Sequence, residues 1–196
     1  NELVYDLGVT EYYCIKLRSY VKLVGEGDGL VLSDNIDSDN FAILYPYDGG
    51  EYYTDNSLPD AAQSRVEMFY FNDYADYSFD NAGRNYLTNA DFENLVVDGR
   101  YTTASTINSS AGKGFMVNLF KDCDWDNVAV LNTDGTGFGM DCPINSTVKN
   151  SLAVGCGKGV GIAVHSGFGI GTGYVDGESF TIENSHAYYN GQYGFF

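Results

Sequence analysis

The stretch Asn150-Ser-Leu-Ala153 is one of four copies of a short repeat in this chain. The other copies are Asn94-Leu-Val-Val97, Asp126-Asn-Val-Ala129 and Asn184-Ser-His-Ala187. The last residues of successive copies are 32, 24 and 34 residues apart, and the long steps contain insertions rich in Gly, Ser and Thr. A basic step near 24 residues is typical of a coil of three short strands, and stacked coils cover one another's apolar faces. The repeat predicts an all-β solenoid, the parallel β-helix; the alternative is a β-sandwich with fortuitous spacing.

One coil can be followed through the sequence. Thr147-Val-Lys149 and Thr181-Ile-Glu183 alternate polar and apolar residues, so the middle residue of each is expected to point inward. The Asn that follows tolerates the left-handed backbone of a tight corner, and equivalent Asn side chains on successive coils can form a hydrogen-bonded ladder. A third strand follows, with the pattern Gly-Phe-Gly at Gly137–Gly139 and Gly167–Gly169 and Gly-Phe-Phe at Gly194–Phe196.

Length and charge narrow the classes of function. The 196 residues suffice for one domain, and 10 Lys and Arg against 27 Asp and Glu give a net charge of −17. Nucleic acid and anionic lipid surfaces require a basic footprint, so neither is an expected partner. No apolar run approaches the roughly 20 residues that span a membrane. Scattered carboxylates suit an extracellular surface in high salt or in the presence of Ca²⁺, although simple solubility explains them equally well.

Three regions differ in composition. Residues 1–39 are expected to form the first coils or a cap, residues 40–90 a Tyr-rich loop with irregular coils, and residues 91–196 the regular coils. The apolar strand Tyr193–Phe196 closes the sequence, and because solenoids need polar caps we expect further coils, a partner chain or another domain to cover Phe195 and Phe196.

The four cysteines do not follow a metal-binding pattern. They stand at positions 14, 123, 142 and 156. Buried free thiols are the favoured interpretation. The alternative is one disulfide within Cys123, Cys142 and Cys156.

Aromatic residues are densest between residues 40 and 90. Exposed Tyr rings suit stacking on the apolar face of a sugar, and the phenol can hydrogen-bond a hydroxyl group. A protein interface or packing of the loop on the coils would use the same residues. The candidate carbohydrate-binding residues are Tyr45, Tyr47, Tyr52, Tyr53, Tyr74 and Tyr77.

Two segments carry a resemblance to a known superfamily. Val21-Lys-Leu-Val-Gly-Glu-Gly-Asp-Gly29, followed by the apolar Leu30–Leu32, resembles the first coils of pectate-lyase-like right-handed parallel β-helices. That group includes polysaccharide lyases, alginate C5-epimerases and phage tail spikes. Asn94-Leu-Val-Val-Asp-Gly99 resembles a coil that those proteins often write as Asn-Leu-Thr-Ile-Asp-Gly. The resemblance implies a right-handed coil and leaves the reaction open.

The same resemblance supplies candidate catalytic residues. Alginate epimerases place a Lys and a Tyr-Gly-Phe-Asp-Pro-His segment on adjacent coils to neutralise a uronate carboxylate and move the C5 proton. The similar stretch here is Thr136–Pro143, with Asp141 inside it and Lys113 one coil earlier. It departs from the family pattern in Thr136, in an additional Gly-Met, and in the lack of a His after Pro143. His165, in a Gly-rich insertion, is a further candidate, or simply an exposed side chain.

A candidate Ca²⁺ site comes from alternating carboxylates. Asp122, Asp124 and Asp126 are spaced to share one strand face and to offer oxygen ligands. No Gly and Glu complete a known calcium loop, so a solvated acidic face is the alternative. No other cofactor is expected.

These observations together predict an extracellular β-helix of a virion or cell-surface appendage, such as a tail spike, head fibre or adhesin. It would bind glycans or dock neighbouring subunits, and homotrimers or larger assemblies are the expected state. The alternatives are a lyase or C5-epimerase acting on uronate polymers, with Lys113, Asp141 and His165 as candidates, and a purely structural assembly protein.

Overall fold

The computed structural model describes residues 2–6, 9–25, 42–44, 66–71, 85–99, 112–158, 166–171 and 179–196. Every regular element in these ranges is a β-strand. The strands are β1 (Glu2–Asp6), β2 (Val9–Lys16), β3 (Lys22–Val24), β4 (Ala42–Leu44), β5 (Val66–Phe71), β6 (Leu87–Thr88), β7 (Asp91–Asp98), β8 (Phe115–Lys121), β9 (Asp124–Leu131), β10 (Phe138–Ile144), β11 (Ser146–Lys149), β12 (Leu152–Val154), β13 (Ser166–Gly171), β14 (Phe180–Glu183), β15 (His186–Tyr188) and β16 (Tyr193–Phe195).

The strands form two sheets of eight. Sheet A has the order β1-β2-β5-β8-β10-β13-β16, with β6 also pairing with β8. Sheet B contains β3, β4, β7, β9, β11, β12, β14 and β15. Between described strands, only β1 and β2 pair antiparallel. From β8 onward the chain passes from sheet A to sheet B and back to sheet A in each cycle, as stacked coils require.

Sheet B bends at the repeated asparagines. Asn94, Asn127, Asn150 and Asn184 all have left-handed backbones, with φ of 54°, 58°, 50° and 43°. Asn tolerates this conformation better than most residues, which explains its recurrence at this corner. The corner divides sheet B into two segments. The first segment contains β3, residues 91–93 and 124–126, β11 and β14. The second segment contains β4, residues 95–98 and 128–131, β12 and β15. Each coil therefore has three faces.

The predicted register of the second repeat was wrong by one residue. Strand β9 pairs Val130 with Val97 and with Ala153, so the steps between equivalent positions are 33, 23 and 34 residues. The corner residue of this copy is Asn127, with Asp126 at the end of the preceding strand segment. Asp and Asn both favour turns, so the sequence alone does not show which of Asp126 and Asn127 is the corner residue, and Asp126 was predicted.

The predicted ladder of asparagine side chains is present, with an aspartate as one of its acceptors. Asn127 donates from Nδ2 to Oδ1 of Asn94 at 2.7 Å, and Asn184 donates to Oδ1 of Asn150 at 2.7 Å. Between these pairs, Asn150 donates to Oδ1 of Asp126 at 2.8 Å. The ladder thus joins successive coils, but one of its rungs is a carboxylate.

A phenylalanine stack runs through the interior beneath sheet A. Neighbouring rings lie nearly parallel, with centroids 4.7, 5.5, 4.6 and 4.8 Å apart, and they belong to Phe69, Phe115, Phe138, Phe168 and Phe195. Trp125, fully buried, packs against this stack from sheet B, its ring centroid 6.0 Å from that of Phe115. The Gly-Phe pattern was predicted for the last three strands, and Gly114-Phe115 extends it to an earlier coil.

The all-β fold with parallel sheets is confirmed, and the course of the chain is compatible with a solenoid. Val148 and Phe92 point into the core as predicted. Cys123, Cys142 and Cys156 are free and buried, so the alternative of a disulfide among them is wrong. The predicted region 40–90 lies largely outside the described residues, whereas region 1–39 is described at residues 2–6 and 9–25. The boundaries of both regions stay predictions. No described segment forms a helix of the length and hydropathy needed to cross a bilayer.

Candidate functional site

The outer face of sheet A has a floor made of glycines. Because strand residues alternate between faces, the residues next to the buried phenylalanines point outward. On β10 and β13 these are Gly139 and Gly169, paired in register, with Gly171 two residues further along. All three are partly exposed. We call them the glycine floor; they have no side chains of their own, so the side chains of Lys113, Ser166 and Asp141 can lie directly against the backbone of two neighbouring strands.

Lys113 lies over one end of the floor. A Cβ at position 139 would come 3.0 Å from Cδ of Lys113, so glycine at that position makes room for the lysine side chain. The ammonium group donates to Sδ of Met116 at 2.9 Å. A thioether is a weak acceptor and an ammonium has three hydrogens to donate, so Lys113 keeps donor capacity for a ligand.

Asp141 occupies the next outward position on β10. Its carboxylate accepts a hydrogen bond from the backbone N–H of Gly171, and a Cβ at position 171 would overlap with it. Burial raises the pKa of Asp141, and the Lys113 ammonium and the Gly171 hydrogen bond offset that rise in part. Asn118, almost fully buried, is the register partner of Asp141 on β8. A carboxyl group whose pKa is raised in a polar cluster is a candidate proton donor.

Two exposed rings stand beyond the floor on the same face. Phe196 pairs with Gly169 through backbone hydrogen bonds to Phe168 and Ile170, so its side chain is on the outer face. Tyr193 is the register partner of Ser166, and its ring stacks on Phe196 with centroids 5.5 Å apart. The rings are 50% and 62% exposed. The two rings form an apolar surface with a phenol next to the glycine floor.

Two hydroxyl side chains lie beside the floor. Thr136 and Ser166 are buried, and Oγ1 of Thr136 accepts from the backbone N–H of Ser166 at 3.4 Å. A Cβ at position 169 would come 3.0 Å from Oγ of Ser166. Among the residues described, this Oγ has no hydrogen-bond partner.

The structure brings together two of the three predicted catalytic residues. Lys113 and Asp141 share the outer face of sheet A and are close enough for the ammonium to lower the pKa of the carboxyl group. The third, His165, lies outside the described residues. So do the six predicted carbohydrate-binding tyrosines, Tyr45, Tyr47, Tyr52, Tyr53, Tyr74 and Tyr77.

The three aspartates of the candidate Ca²⁺ site are placed differently from one another. Asp122 precedes β9 in a left-handed corner and accepts from Nδ2 of Asn145 at 2.6 Å. Asp126 accepts from Asn150 and lies 3.3 Å from Nζ of Lys149, while Asp124 is exposed. Within the described ranges no group of three or more His, Cys, Asp or Glu side chains is arranged to hold a metal ion. The Ca²⁺ site stays a prediction without geometric support.

The glycine floor and the Tyr193–Phe196 pair were missed in the sequence. Their signal was present in Gly-Phe-Gly and Gly-Phe-Phe, where the residue after each phenylalanine had to be outward once the phenylalanine was inward. Asn118 was missed as well, although a polar residue between Val117 and Leu119 in an apolar strand was a visible sign.

Comparison of the chain with protein-family models, with curated proteins and with solved structures returned no match. The site is therefore interpreted from its own geometry.

Proposed function

We propose that this chain is a right-handed parallel β-helix that acts outside a cell, in a surface or virion appendage, and binds a glycan on the outer face of sheet A. The parallel strands and the corner ladder support the stiff stack of coils that such appendages use. The net charge of −17 favours a neutral glycan over a polyanion.

One observation carries the proposal: a charged pair that lies on the glycine floor and an aromatic pair beside it share a single face. Lys113 and Asp141 offer a donor and an acceptor for sugar hydroxyls, and Tyr193 with Phe196 offers a surface for the apolar side of a pyranose. Flat, partly polar ligands such as sugars match this combination, because their hydroxyl groups can bond to the charged pair while one face of the ring stacks on the aromatic pair.

The proposal is tested by calorimetric titration of the chain with a panel of neutral and uronate polysaccharides. We expect at least one of them to bind and Tyr193→Ala to weaken that binding roughly tenfold, the upper range for one aromatic contact. Tyr20→Ala is the matched control, because Tyr20 is an exposed tyrosine that directly follows the β2 region, at the opposite end of the strand order of sheet A from Tyr193 in β16. The proposal would be wrong if no polysaccharide bound, or if both variants lost affinity equally.

A second function, proton transfer on a uronate polymer, is favoured by the raised pKa of Asp141. A carboxyl group that stays protonated above its usual range can donate a proton, and the neighbouring Lys113 can neutralise a uronate carboxylate. This chemistry corresponds to a lyase or C5-epimerase. His165 remains a candidate third group of that site.

Absorbance of unsaturated chain ends, followed together with chain length, separates binding from lysis. A lyase would produce new ends on one polymer, and both Lys113→Met and Asp141→Asn would abolish them. An epimerase would leave chain length unchanged but alter the uronate composition, which NMR of the recovered polymer would detect. Intact, unaltered polymers would leave glycan binding as the function.

A further inference from the structure

Met116 contacts the ammonium group of Lys113 at the border of the glycine floor. Its Sδ accepts a hydrogen bond from Nζ of Lys113 at 2.9 Å. Met116 is on β8, and its register partner on β10 is Gly139, the first glycine of the floor. Met116 and Gly139 are both partly exposed. The contact therefore belongs to the outer face of sheet A and not to the core.

Met116 differs in this respect from the other two methionines of the chain. Met68 and Met140 are buried in the main core, where a thioether fills the space between apolar side chains. Met116 is partly exposed and has a cation as its neighbour. Packing in the core therefore does not explain a methionine at this position.

The side chain of Lys113 is held at two points. Its Cδ and Cε atoms are 3.0 and 3.5 Å from the place that a Cβ at residue 139 would occupy, so its stem lies against the backbone of the next coil. Its ammonium group is bound to Sδ of Met116. Lysine has many rotamers, and a lysine that is ordered before a ligand arrives loses less conformational entropy when the ligand binds.

A thioether is suited to hold a cation that has to remain available. It is uncharged and a weak acceptor, so it orients the ammonium group without neutralising it. A carboxylate at position 116 would form an ion pair with Lys113 and would compete with the ligand. With methionine there, the positive charge of Lys113 still acts on the neighbouring Asp141.

We propose that Met116 is a positioning residue, whose thioether holds the Lys113 side chain against Gly139 so that the ammonium group is ordered before a sugar oxygen binds to it. Met116 acts through Lys113 and needs no contact with the ligand. For its role in binding, the inference rests on the proposed glycan site, whereas the contact with Lys113 is measurable in the chain alone.

Two substitutions separate the hydrogen bond from packing. Met116→Leu keeps an apolar side chain of similar volume but removes the acceptor. Met116→Gln restores an acceptor, the amide oxygen, on a side chain of similar length. Met140→Leu makes the first change in the core of the neighbouring strand β10 and is the matched control. Thermal melts verify that each variant is folded.

Acetylation of Lys113 in the ligand-free chain is the first measurement, with Lys22 and Lys149 on sheet B as internal references. We expect Lys113 to react several times faster in Met116→Leu, because its amine is released from Sδ. It should react at the wild-type rate in Met116→Gln and in Met140→Leu. An unchanged rate in Met116→Leu, no recovery in Met116→Gln, or an equal increase in Met140→Leu would overturn the proposal.

Calorimetric titration with a polysaccharide that binds the wild type is the second measurement. We expect roughly threefold to tenfold weaker binding in Met116→Leu, the effect of leaving one rotamer-rich side chain to be ordered by the ligand, and recovery in Met116→Gln. Unchanged affinity in Met116→Leu would overturn the role in binding. If no polysaccharide bound the wild type, the proposed function and this role would both fail, while the acetylation rates would still decide whether Met116 positions Lys113.

Discussion

The carboxylate of Asp141 accepts a hydrogen bond from the backbone N–H of Gly171 on the neighbouring strand of sheet A. The contact is close enough that any side chain at position 171 would overlap with the carboxylate. Glycine at 171 is therefore required by Asp141, and the two residues together define one side of the proposed glycan site.

Gly171→Ala should destabilise the chain by about 1–2 kcal/mol, the usual cost of inserting a methyl group into an occupied space. Its φ is outside the left-handed region, so the cost comes from the overlap. Urea denaturation measures it. Gly139→Ala is the control, because its closest contact is Cδ of the flexible Lys113 side chain, and it should cost less. If the two variants lost the same free energy of unfolding, the Asp141 carboxylate would move aside as easily as the Lys113 side chain.

Asp141→Asn should change how stability depends on pH. The folded pKa of Asp141 is raised mainly by burial, so the native state binds a proton more tightly than the unfolded state, whose pKa is near 3.8. The resulting stabilisation is fully present below that value and is lost as the pH rises through the folded pKa. The wild type should therefore lose stability relative to Asp141→Asn as the pH increases from acidic to neutral. If the melting temperatures of the wild type and of Asp141→Asn changed with pH in parallel, the raised pKa of Asp141 would be contradicted.

Asn150→Leu should destabilise the chain by about 1–3 kcal/mol, since it removes a donor to Asp126 and an acceptor for Asn184. Leucine is also strained at the φ of 50° found there. Asn150→Gly separates the two effects, because glycine keeps the backbone conformation and loses only the ladder. Thermal melts of the three proteins provide the comparison. If Asn150→Leu melted at the same temperature as the wild type, the stabilising role of Asn150 at this corner would be contradicted.

Tyr20→Asn should stabilise the chain by about 1 kcal/mol. Tyr20 has φ of 63°, while the equivalent corners of later coils use Asn89 and Asp122. Asparagine adopts this backbone with less strain. Tyr20→Phe keeps the strain and the ring, so it should melt like the wild type. If Tyr20→Asn were no more stable than Tyr20→Phe, the strain at this corner would be negligible.

Cys123 and Cys156 should resist alkylation in the native chain. Burial raises the pKa of each thiol to about 11. At pH 8 the thiolate fraction is then on the order of 0.1%, and only the thiolate reacts. Mass spectrometry of iodoacetamide-treated protein should find both residues unmodified until denaturant is added. Rapid native labelling of either would show that its environment opens readily.

The fold could be predicted because each element of the repeat has one physical meaning. Asparagine at a corner indicates a left-handed backbone. Phe138, Phe168 and Phe195 stack because each follows a Gly at the same register position of neighbouring parallel strands. The register error at Asp126 arose where two turn-forming residues are adjacent. Aligning Phe92 with Trp125, both inward aromatics, would have corrected it.

The site was less predictable than the fold. Lys113 and Asp141 were found through a resemblance, and their proximity depended on the pairing of β8 with β10, which spacing alone does not fix. The glycine floor was missed because its contribution is the absence of side chains. Phe195 and Phe196 were predicted to need a cover, which stays a prediction. That Phe196 lies opposite Gly169 on the outer face, with the Tyr193 ring stacked on it, was not predicted.

Acetylation of lysine amines, with and without each polysaccharide of the panel, tests the central claim most directly. Lys113 borders the glycine floor, while Lys22 and Lys149 lie on sheet B and serve as internal controls in the same sample. We predict that at least one polysaccharide slows the acetylation of Lys113 and leaves the rates at Lys22 and Lys149 unchanged. Unchanged labelling of Lys113 across the panel, or equal protection of all three lysines, would contradict a glycan site on the outer face of sheet A.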